Sequence, residues 1–261
     1  MLPCPMEMSL TSPDFELRIA TTAEDLRLVQ QLRYAVFVEE LGGGGDMVDH
    51  DAGLERDLFD AHATQLMLLD RQSGALAGVY RMMDRNAADA AGRFYSAAEY
   101  DLGPLLASGR PLLELGRSCL HPDYRGTDAL FHLWNGLSRY VMETGAEILF
   151  GVASFHGTDI DALRQPLSYL HQNHLAPADL RVAAKGAGAA SMDLLPADKI
   201  DRREALLAIP ALIKGYLRLG GTVGDGAWID RDFNTTDVCL VMDTARLNAR
   251  TARIYARESA G

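Results

Sequence analysis

A dense run of acidic residues early in the chain is the first candidate for chemistry. Positions 46 to 60 hold six carboxylates: Asp46, Asp49, Asp51, Glu55, Asp57 and Asp60. Carboxylates this close disfavour one another's ionisation, which raises some of their pKa values and makes a general base possible. The cluster would also suit a cationic substrate. A solvated acidic loop or a calcium site has the same composition, and spacing alone favours that plainer interpretation, although the EF-hand pattern is absent.

Two later segments also carry candidate residues. Glu114 and Arg117 interrupt an apolar, strand-like run, where opposite charges either face a cleft or form a structural ion pair. Arg125 and Gly126 precede the start of a helix, whose backbone N–H groups can bind a phosphate, unless this is an ordinary strand-to-helix turn. Cys119 would allow a thiol nucleophile, but free cysteines are usually buried and inert.

The predicted elements around these residues alternate between strands and helices. A period-two strand at 15–19 precedes a helix that starts at a T-x-x-E capping box, Thr21 and Glu24, and ends at the glycines 42–45. The other predicted elements are a hairpin of strands at 65–70 and 76–82, a strand at 111–120, a helix between Thr127 and Gly145, a strand at 147–153, a helix after 158, a loop at 183–190, a helix at 201–219, strands at 221–229 and 237–242, and a helix from about 244. This order predicts an α/β fold with one mixed sheet.

Composition limits the possible classes of function. The 261 residues predict a flexible leader at 1–14 and a single domain at 15–261, with a C-terminal lobe or extension from about 195. A net charge of −11 argues against binding nucleic acid through bulk charge. Three widely spaced cysteines give neither a disulfide framework nor a CxxC metal site, so we expect no metal and a reducing compartment. The sequence shows no secretory signal and no apolar run long enough to cross a bilayer, so any membrane contact would be peripheral.

Several segments carry a resemblance to a known family: ELGRSCLHPDYRG (114–126) with the following Leu133-Trp134, GVASFHGTD (151–159) and LIKGYLRLGGTVGDGAWIDRDFNTTDV (212–238). From about Arg33 onward the chain resembles the bacterial L-ornithine Nα-acyltransferases, also labelled hemolysin-like. The resemblance implies a GNAT-like acyl-CoA N-acyltransferase fold, with a mixed central sheet flanked by helices and a C-terminal extension. It also implies transfer of a 3-hydroxyacyl chain from acyl carrier protein to ornithine, giving lyso-ornithine lipid. No cofactor would be bound tightly, since the acyl-phosphopantetheine of the carrier is a co-substrate.

The chain is more distantly similar to the acyl-homoserine lactone synthases, whose motif residues line an amine pocket and the acyl-transfer site. The matching positions here are Arg33, Phe37, Glu55, Asp57, Asp60, Arg81, Glu114 and Arg117. Gly42–Gly45 stands where those synthases carry a tryptophan, which argues against an S-adenosylmethionine pocket. Arg125 and Gly126 match the pyrophosphate motif of acetyl-CoA-dependent GNAT enzymes only in part, which is compatible with the single phosphate of phosphopantetheine.

These resemblances imply roles for the substrate-binding residues, which would be Arg33, Phe37, Asp60, Arg81 and Arg117. We expect Glu55 to take the proton of the α-amino group as general base. Asp57 and Asp60 would bind the cationic amines of ornithine. Either Arg81 or Arg117 would bind its carboxylate through a bidentate pair.

The remaining predicted roles concern the acyl-transfer step. Glu114 would act with Glu55 and Asp57 in the catalytic group by orienting Arg117. Backbone N–H groups at Ser118 and Cys119 would stabilise the oxyanion. Arg125 and Gly126 would bind the phosphopantetheine phosphate.

Acyl carrier protein is acidic as a class, so we expect a local basic patch on this acidic chain for docking. The two candidate stripes are Lys199, Arg202, Arg203, Lys214 and Arg218, and, on the C-terminal helix, Arg246, Arg250, Arg253 and Arg257. Either stripe could instead contact anionic lipid at the inner face of the cell membrane, and a solvated helix face is the plainer alternative. We expect a cytoplasmic protein.

The rival functions are an acyl-homoserine lactone synthase or another amine N-acyltransferase, a non-catalytic carrier- or lipid-binding module, and a Cys119-dependent hydrolase.

Overall fold

The computed structural model describes residues 10–11, by their backbone, and residues 14–246. The helices are α1 Ala23–Arg33, α2 Arg85–Ala91, α3 Gly103–Ala107, α4 Ala129–Thr144, α5 Arg164–His174, α6 Arg202–Ala208 and α7 Ala211–Arg218, with a π-helix at Tyr34–Glu40. The strands are β1 Leu10–Thr11, β2 Phe15–Ile19, β3 Val48–Asp49, β4 Leu54–Glu55, β5 Thr64–Asp70, β6 Leu76–Asp84, β7 Tyr100–Asp101, β8 Leu112–Leu120, β9 Ile148–His156, β10 Ala183–Ala184, β11 Ala189–Ala190, β12 Thr222–Val223, β13 Ala227–Asp230 and β14 Thr235–Asp243. The predicted α/β class with a mixed sheet is confirmed.

The chain forms two compact units, and the first contains the described residues up to 93 together with 115–145. Its strands β1, β2, β5 and β6 are antiparallel neighbours, and β6 lies beside the later part of β8. Helix α4 packs closely on this sheet at Gly136, where an added Cβ would lie 2.6 Å from a methyl carbon of Leu17. Helix α1 packs on the same unit through a hydrophobic core cluster that includes Val29, Leu32 and Cys119.

The second unit contains residues 94–114 and the described residues from 146 onward. The first half of β8 runs parallel to β9, and β9 pairs antiparallel with the full length of β14. Strands β13 and β12 extend the sheet from β14, and β11 pairs with β13. Helices α6 and α7 bury Ala205, Ile209 and Ile213, which leaves their opposite faces exposed.

Some element boundaries differ from the sequence predictions. The capping box that starts α1 is formed by Thr22 and Asp25, one position after the predicted pair Thr21 and Glu24. The reason is that Asp25 Oδ2 accepts from the backbone N–H groups of Thr21 and Thr22, at 3.0 and 3.2 Å. The predicted end of this helical segment is confirmed, because the π-helix that continues α1 stops at Glu40, before the glycines.

The predicted helix at 201–219 is two helices, because Pro210 cannot continue α6 and instead caps the start of α7. Glycines divide the predicted strand at 221–229 into β12 and β13. The predicted loop at 183–190 contains β10 and β11, which are too short to leave a periodic pattern. A 3₁₀ turn occupies Thr244–Arg246.

The remainder of the predicted C-terminal helix, including Arg250, Arg253 and Arg257, lies outside the described residues. So do residues 1–9 and 12–13 of the predicted leader, although the backbone of β1 at 10–11 pairs with β2. Within the part of the chain that the structure describes, no helix has the length and apolarity needed to cross a membrane.

Candidate active site

Arginines and carboxylates of the first unit form one buried charge network, and all of them were predicted site residues. Its members are Arg33, Arg81, Arg117, Glu55, Asp57 and Asp60. The arginines come from the end of α1, from β6 and from β8, whereas the carboxylates come from β4 and the loop that follows it. Three cations face three anions, so the network is neutral when every member is ionised.

The contacts alternate in sign along the network. Arg33 donates to Glu55 Oε2 through Nε and to Asp60 Oδ1 through Nη1, the latter at 2.7 Å. The other oxygen of Glu55 accepts from Arg117 Nε at 3.0 Å. Arg81 Nη1 lies 2.7 Å from both oxygens of Asp57 and 3.0 Å from Asp60 Oδ1. Each carboxylate is therefore held by at least one guanidinium.

This pairing gives Asp60 the opposite pKa shift from the one that crowded carboxylates predicted. Burial alone would raise its pKa, but Arg33 and Arg81 outweigh burial and lower the pKa of Asp60 to about 2. The side-chain amide of Gln30 also donates to Asp60, at 2.9 Å. Asp60 is therefore a permanently ionised structural anion at neutral pH rather than a group poised to take up a proton.

Glu55 and Arg33 are completely buried, and the sequence assigned them to catalysis and to substrate binding. Both oxygens of Glu55 accept from guanidinium groups, and Arg33 lies inside the network rather than on a surface. The geometry suits residues that position others. Phe37, a further predicted substrate contact, is partly buried and packs against the hydrophobic core cluster.

Arg117 is the network member with the most solvent contact, since 12% of its side chain is exposed. Its backbone φ is +50°, a left-handed conformation that is rare outside glycine and costs about 1–3 kcal/mol. Such strain persists only where surrounding contacts over-determine it, and it is concentrated at functional sites. Here the contacts are Glu55, Asp57 (3.7 Å from Nη2) and the sulfur of Met47 (3.3 Å from Nη2).

Met47 also lines an open cavity of about 410 Å³, so Arg117 contacts one residue of the cavity wall. The β3–β4 hairpin supplies the walls: Asp46, Met47, Val48, Asp49, His50, Asp51 and Arg56. Asp49 pairs with Arg56 at 2.5 Å, while Asp46 and Asp51 are exposed and make no ion pair with another described residue. The cavity therefore combines carboxylates that a ligand can reach with a neighbouring guanidinium.

His50 is a residue of this cavity that the sequence reasoning missed. Its ring is exposed, and its Nδ1 lies 3.0 Å from the hydroxyl of Tyr34 at the start of the π-helix. The two rings also meet edge to face, with centroids 5.9 Å apart. A histidine inside an acidic run was the available signal, but it matched no motif. Histidine is the side chain that most often acts as general base near neutral pH.

In the second unit, Glu114 has a definite structural partner. Its two oxygens accept from the backbone N–H groups of Tyr95 and Ser96, at 2.7 and 2.6 Å, and the residue is buried. Glu114 thus fixes the turn at 95–98. Its predicted role of orienting Arg117 stays a prediction.

The predicted phosphate-binding segment follows β8. Arg125 forms a two-pronged pair with Glu40, at 2.5 and 2.7 Å, on an exposed surface where an incoming phosphate can compete. Gly126 has a φ of +78°, and an added Cβ there would meet nothing within 4 Å, so its backbone is open to a ligand. Gly145 ends α4 as predicted, but the N-cap is Asp128 rather than Thr127.

Burial raises the pKa of the Cys119 thiol to about 12, so the thiol stays protonated and is unsuited to nucleophilic attack. Among the described residues, no group of three or more His, Cys, Asp or Glu side chains is placed to hold a metal ion.

Known proteins are similar to this chain in sequence and in fold. A family model described as an acetyltransferase (GNAT) domain matches residues 32–135, a range that holds the charge network and the cavity. An L-ornithine N(alpha)-acyltransferase of Rhodobacter capsulatus is 51% identical, over 97% of this chain and 99% of that protein. Its counterpart in Brucella abortus is 38% identical, over 94% of this chain and 89% of that protein.

Among solved structures, the CoA-dependent acyl-homoserine lactone synthase MesI matches with a TM-score of 0.50. It is 15% identical and covers 93% of this chain and 94% of that chain, a likeness that shows the fold alone. The GNAT-like fold predicted from the sequence is confirmed.

Proposed function

The chain belongs to the family of L-ornithine Nα-acyltransferases, and we propose that it acylates the α-amino group of L-ornithine. The nitrogen attacks the thioester carbonyl, an amide C–N bond forms, and the C–S bond breaks to release a thiol. The observation that carries the substrate assignment is Arg117 beside an open acidic cavity. Ornithine presents a carboxylate and a second ammonium group, and this site offers a partner for each.

In this proposal Arg117 binds the substrate carboxylate. The choice between Arg81 and Arg117 falls on Arg117 because Arg81 forms ion pairs with both Asp57 and Asp60 and is almost completely buried. Arg117 is partly exposed and contacts Met47 in the wall of the cavity. Asp46 and Asp51 then take the δ-ammonium group, a role first assigned to Asp57 and Asp60, whose carboxylates already pair with arginine.

We assign the general base to His50 in place of Glu55. Glu55 is completely buried and both of its oxygens accept from guanidinium groups, so a substrate amine does not reach it. His50 is exposed, lines the cavity, and is oriented by Tyr34. Glu55 keeps an indirect role, since its contact with Arg117 fixes the guanidinium that binds the carboxylate.

The acyl donor in this proposal is a 3-hydroxyacyl chain on the phosphopantetheine of acyl carrier protein, and the product is lyso-ornithine lipid. Arg125 and Gly126 bind the single phosphate of the donor, with Glu40 as the group that the phosphate displaces. Backbone N–H groups at Ser118 and Cys119 stabilise the oxyanion beside the strained residue Arg117. The enzyme works in the cytoplasm. It contacts the membrane peripherally, because its product is a lipid.

Release of free carrier thiol tests this proposal. Purified enzyme is mixed with a 3-hydroxyacyl carrier protein or the matching acyl-CoA, and with ornithine, lysine, norvaline or S-adenosylmethionine in turn. We expect thiol release with carrier protein and ornithine, and an α-N-acylornithine by tandem mass spectrometry. Acylation with another amine alone would overturn the substrate, and preference for acyl-CoA would overturn the donor. No release with any pair would favour a carrier- or lipid-binding module.

A further inference from the structure

Helices α6 and α7 in the second unit carry an exposed leucine at a turn of the chain. Leu207 has 72% of its surface exposed, the highest fraction among the large hydrophobic residues that the structure describes. The opposite face of α6 is anchored by Ala205 and Ile209, which are buried. Leu207 therefore projects from a fixed helix, and nothing in its own unit covers it.

Two basic side chains lie close to this leucine, and further arginines lie on the same two helices. Arg203 lies one helical turn before Leu207 on the same face of α6. Lys214 of α7 donates from Nζ to the Leu207 carbonyl at 3.3 Å, which places a second cation beside it. Arg202, Arg203 and Arg218 are exposed and form no ion pair with another described residue.

Residues 198–218 hold five cationic side chains and three carboxylates, a net charge of +2 in a chain of net charge −11. One of these carboxylates, Asp201, is committed to capping α6, where it accepts from the N–H groups of Arg203 and Glu204 at 2.8 and 3.0 Å. The segment is thus a local basic surface on an acidic protein.

We propose that this surface, defined by Arg202, Arg203, Leu207, Lys214 and Arg218, binds anionic phospholipid bilayers. Cations alone would suit any acidic partner, including an acyl carrier protein. The projecting leucine favours a bilayer, because a bilayer offers anionic head groups with an apolar layer directly beneath them. The inference deepens the proposed function by naming the membrane-facing surface. Vesicle binding needs no turnover, however, so the two can fail separately.

The test is sedimentation of the full chain with phosphatidylcholine vesicles, with and without about 30 mol % phosphatidylglycerol. We expect binding to the anionic vesicles only. Arg202→Ala/Arg203→Ala should weaken that binding about 30-fold, and Leu207→Ser about tenfold. The matched controls are Arg231→Ala, an exposed arginine elsewhere in the unit, and Met142→Ser, an apolar side chain that is 63% exposed on α4.

Equal binding to neutral vesicles, or unchanged binding by both surface variants, would overturn the proposal. So would variants that bind vesicles normally but raise the KM for acyl carrier protein, because the surface would then belong to the carrier. Circular dichroism of each variant shows whether it is folded, and the single substitution Leu207→Ala provides a milder second variant.

Discussion

The two halves of the acidic segment at positions 46–60 differ in burial and in ion pairing. Glu55, Asp57 and Asp60 are buried and paired with arginines from three separate elements. Asp46 and Asp51, a few residues earlier, are exposed in an open cavity. The two halves contain the same kind of side chain, but only the buried carboxylates pair with arginines of the network. The buried half fixes the position of Arg117, and the open half remains available to a ligand.

In the proposed function, the buried half holds Arg117 in place and the open half selects the substrate. A buried ion pair contributes little net stability compared with apolar packing, yet removal of one partner leaves an uncompensated buried charge. An exposed pair is worth at most about 1 kcal/mol. Variants on the two sides of the loop should therefore separate the free energy of unfolding from acceptor selectivity.

The largest expected effect is on folding. Arg33→Met should lower the free energy of unfolding by about 3–5 kcal/mol, because Glu55 and Asp60 lose a buried partner. Urea titration measures this. Arg56→Ala is the control from the open half, where the Asp49 pair is largely exposed and a change below about 1 kcal/mol is expected. Equal losses in the two variants would remove the distinction between the halves.

Loss of the proposed base should affect turnover rather than folding. His50→Ala should lower kcat about 100-fold, since a positioned general base contributes about that much. Added imidazole should restore part of the activity, because the exposed position leaves space for it. His62→Ala, in the loop that follows β4, is the control and should show no such rescue. Full activity of His50→Ala without imidazole would contradict the assignment of His50 as the base.

The acid stability of the protein should depend on Asp60. Its folded-state pKa is about 2, below the unfolded value of 3.8, so its stabilisation is complete above about pH 4. The stabilisation, about 2 kcal/mol, is lost as the pH falls from about 4 to about 2. Asp60→Asn should flatten the fall in unfolding free energy over this range. Asp51→Asn, from the exposed half, should leave the fall unchanged, and an equal effect of both would contradict the assignment.

A smaller effect is expected from Arg117→Lys, which keeps the charge but loses the planar fork. The KM for ornithine should rise about tenfold with a smaller change in kcat, because one of two parallel hydrogen bonds to the carboxylate is lost. Steady-state kinetics with fixed acyl carrier protein give both values. A rise in the KM for the carrier instead would place Arg117 on the donor side of the reaction.

Elements with strong local patterns could be predicted from the sequence. The β5–β6 hairpin, β8 and α4 were found close to their observed ends because their periodicity and end residues are local signals. The capping box was displaced by one residue because the T-x-x-E pattern selects Thr21 and Glu24, whereas the observed box pairs Thr22 with an aspartate, Asp25. The two-residue strands β3, β4, β10 and β11 were missed since no period can show over two positions.

The residues of the charge network could also be predicted, but their burial and their ion pairing could not. The motif match selected Arg33, Glu55 and Arg117, and the structure joins them. No sequence pattern states which carboxylates meet an arginine after folding, because the arginines come from α1, β6 and β8. The buried residues were therefore assigned to catalysis or to substrate binding, while Asp46 was considered only as a member of the acidic cluster and His50 received no role.

Acceptor selectivity of Asp46→Asn/Asp51→Asn tests the central claim most directly. The kcat/KM for ornithine is compared with that for norvaline, which has the same carbon chain but no δ-ammonium group. We predict that the wild-type preference for ornithine falls about tenfold and that the norvaline value does not change. Asp179→Asn/Asp232→Asn removes two exposed charges outside the cavity and should leave the preference intact. An unchanged ornithine preference in the cavity variant, or an equal loss for both amines, would contradict the account.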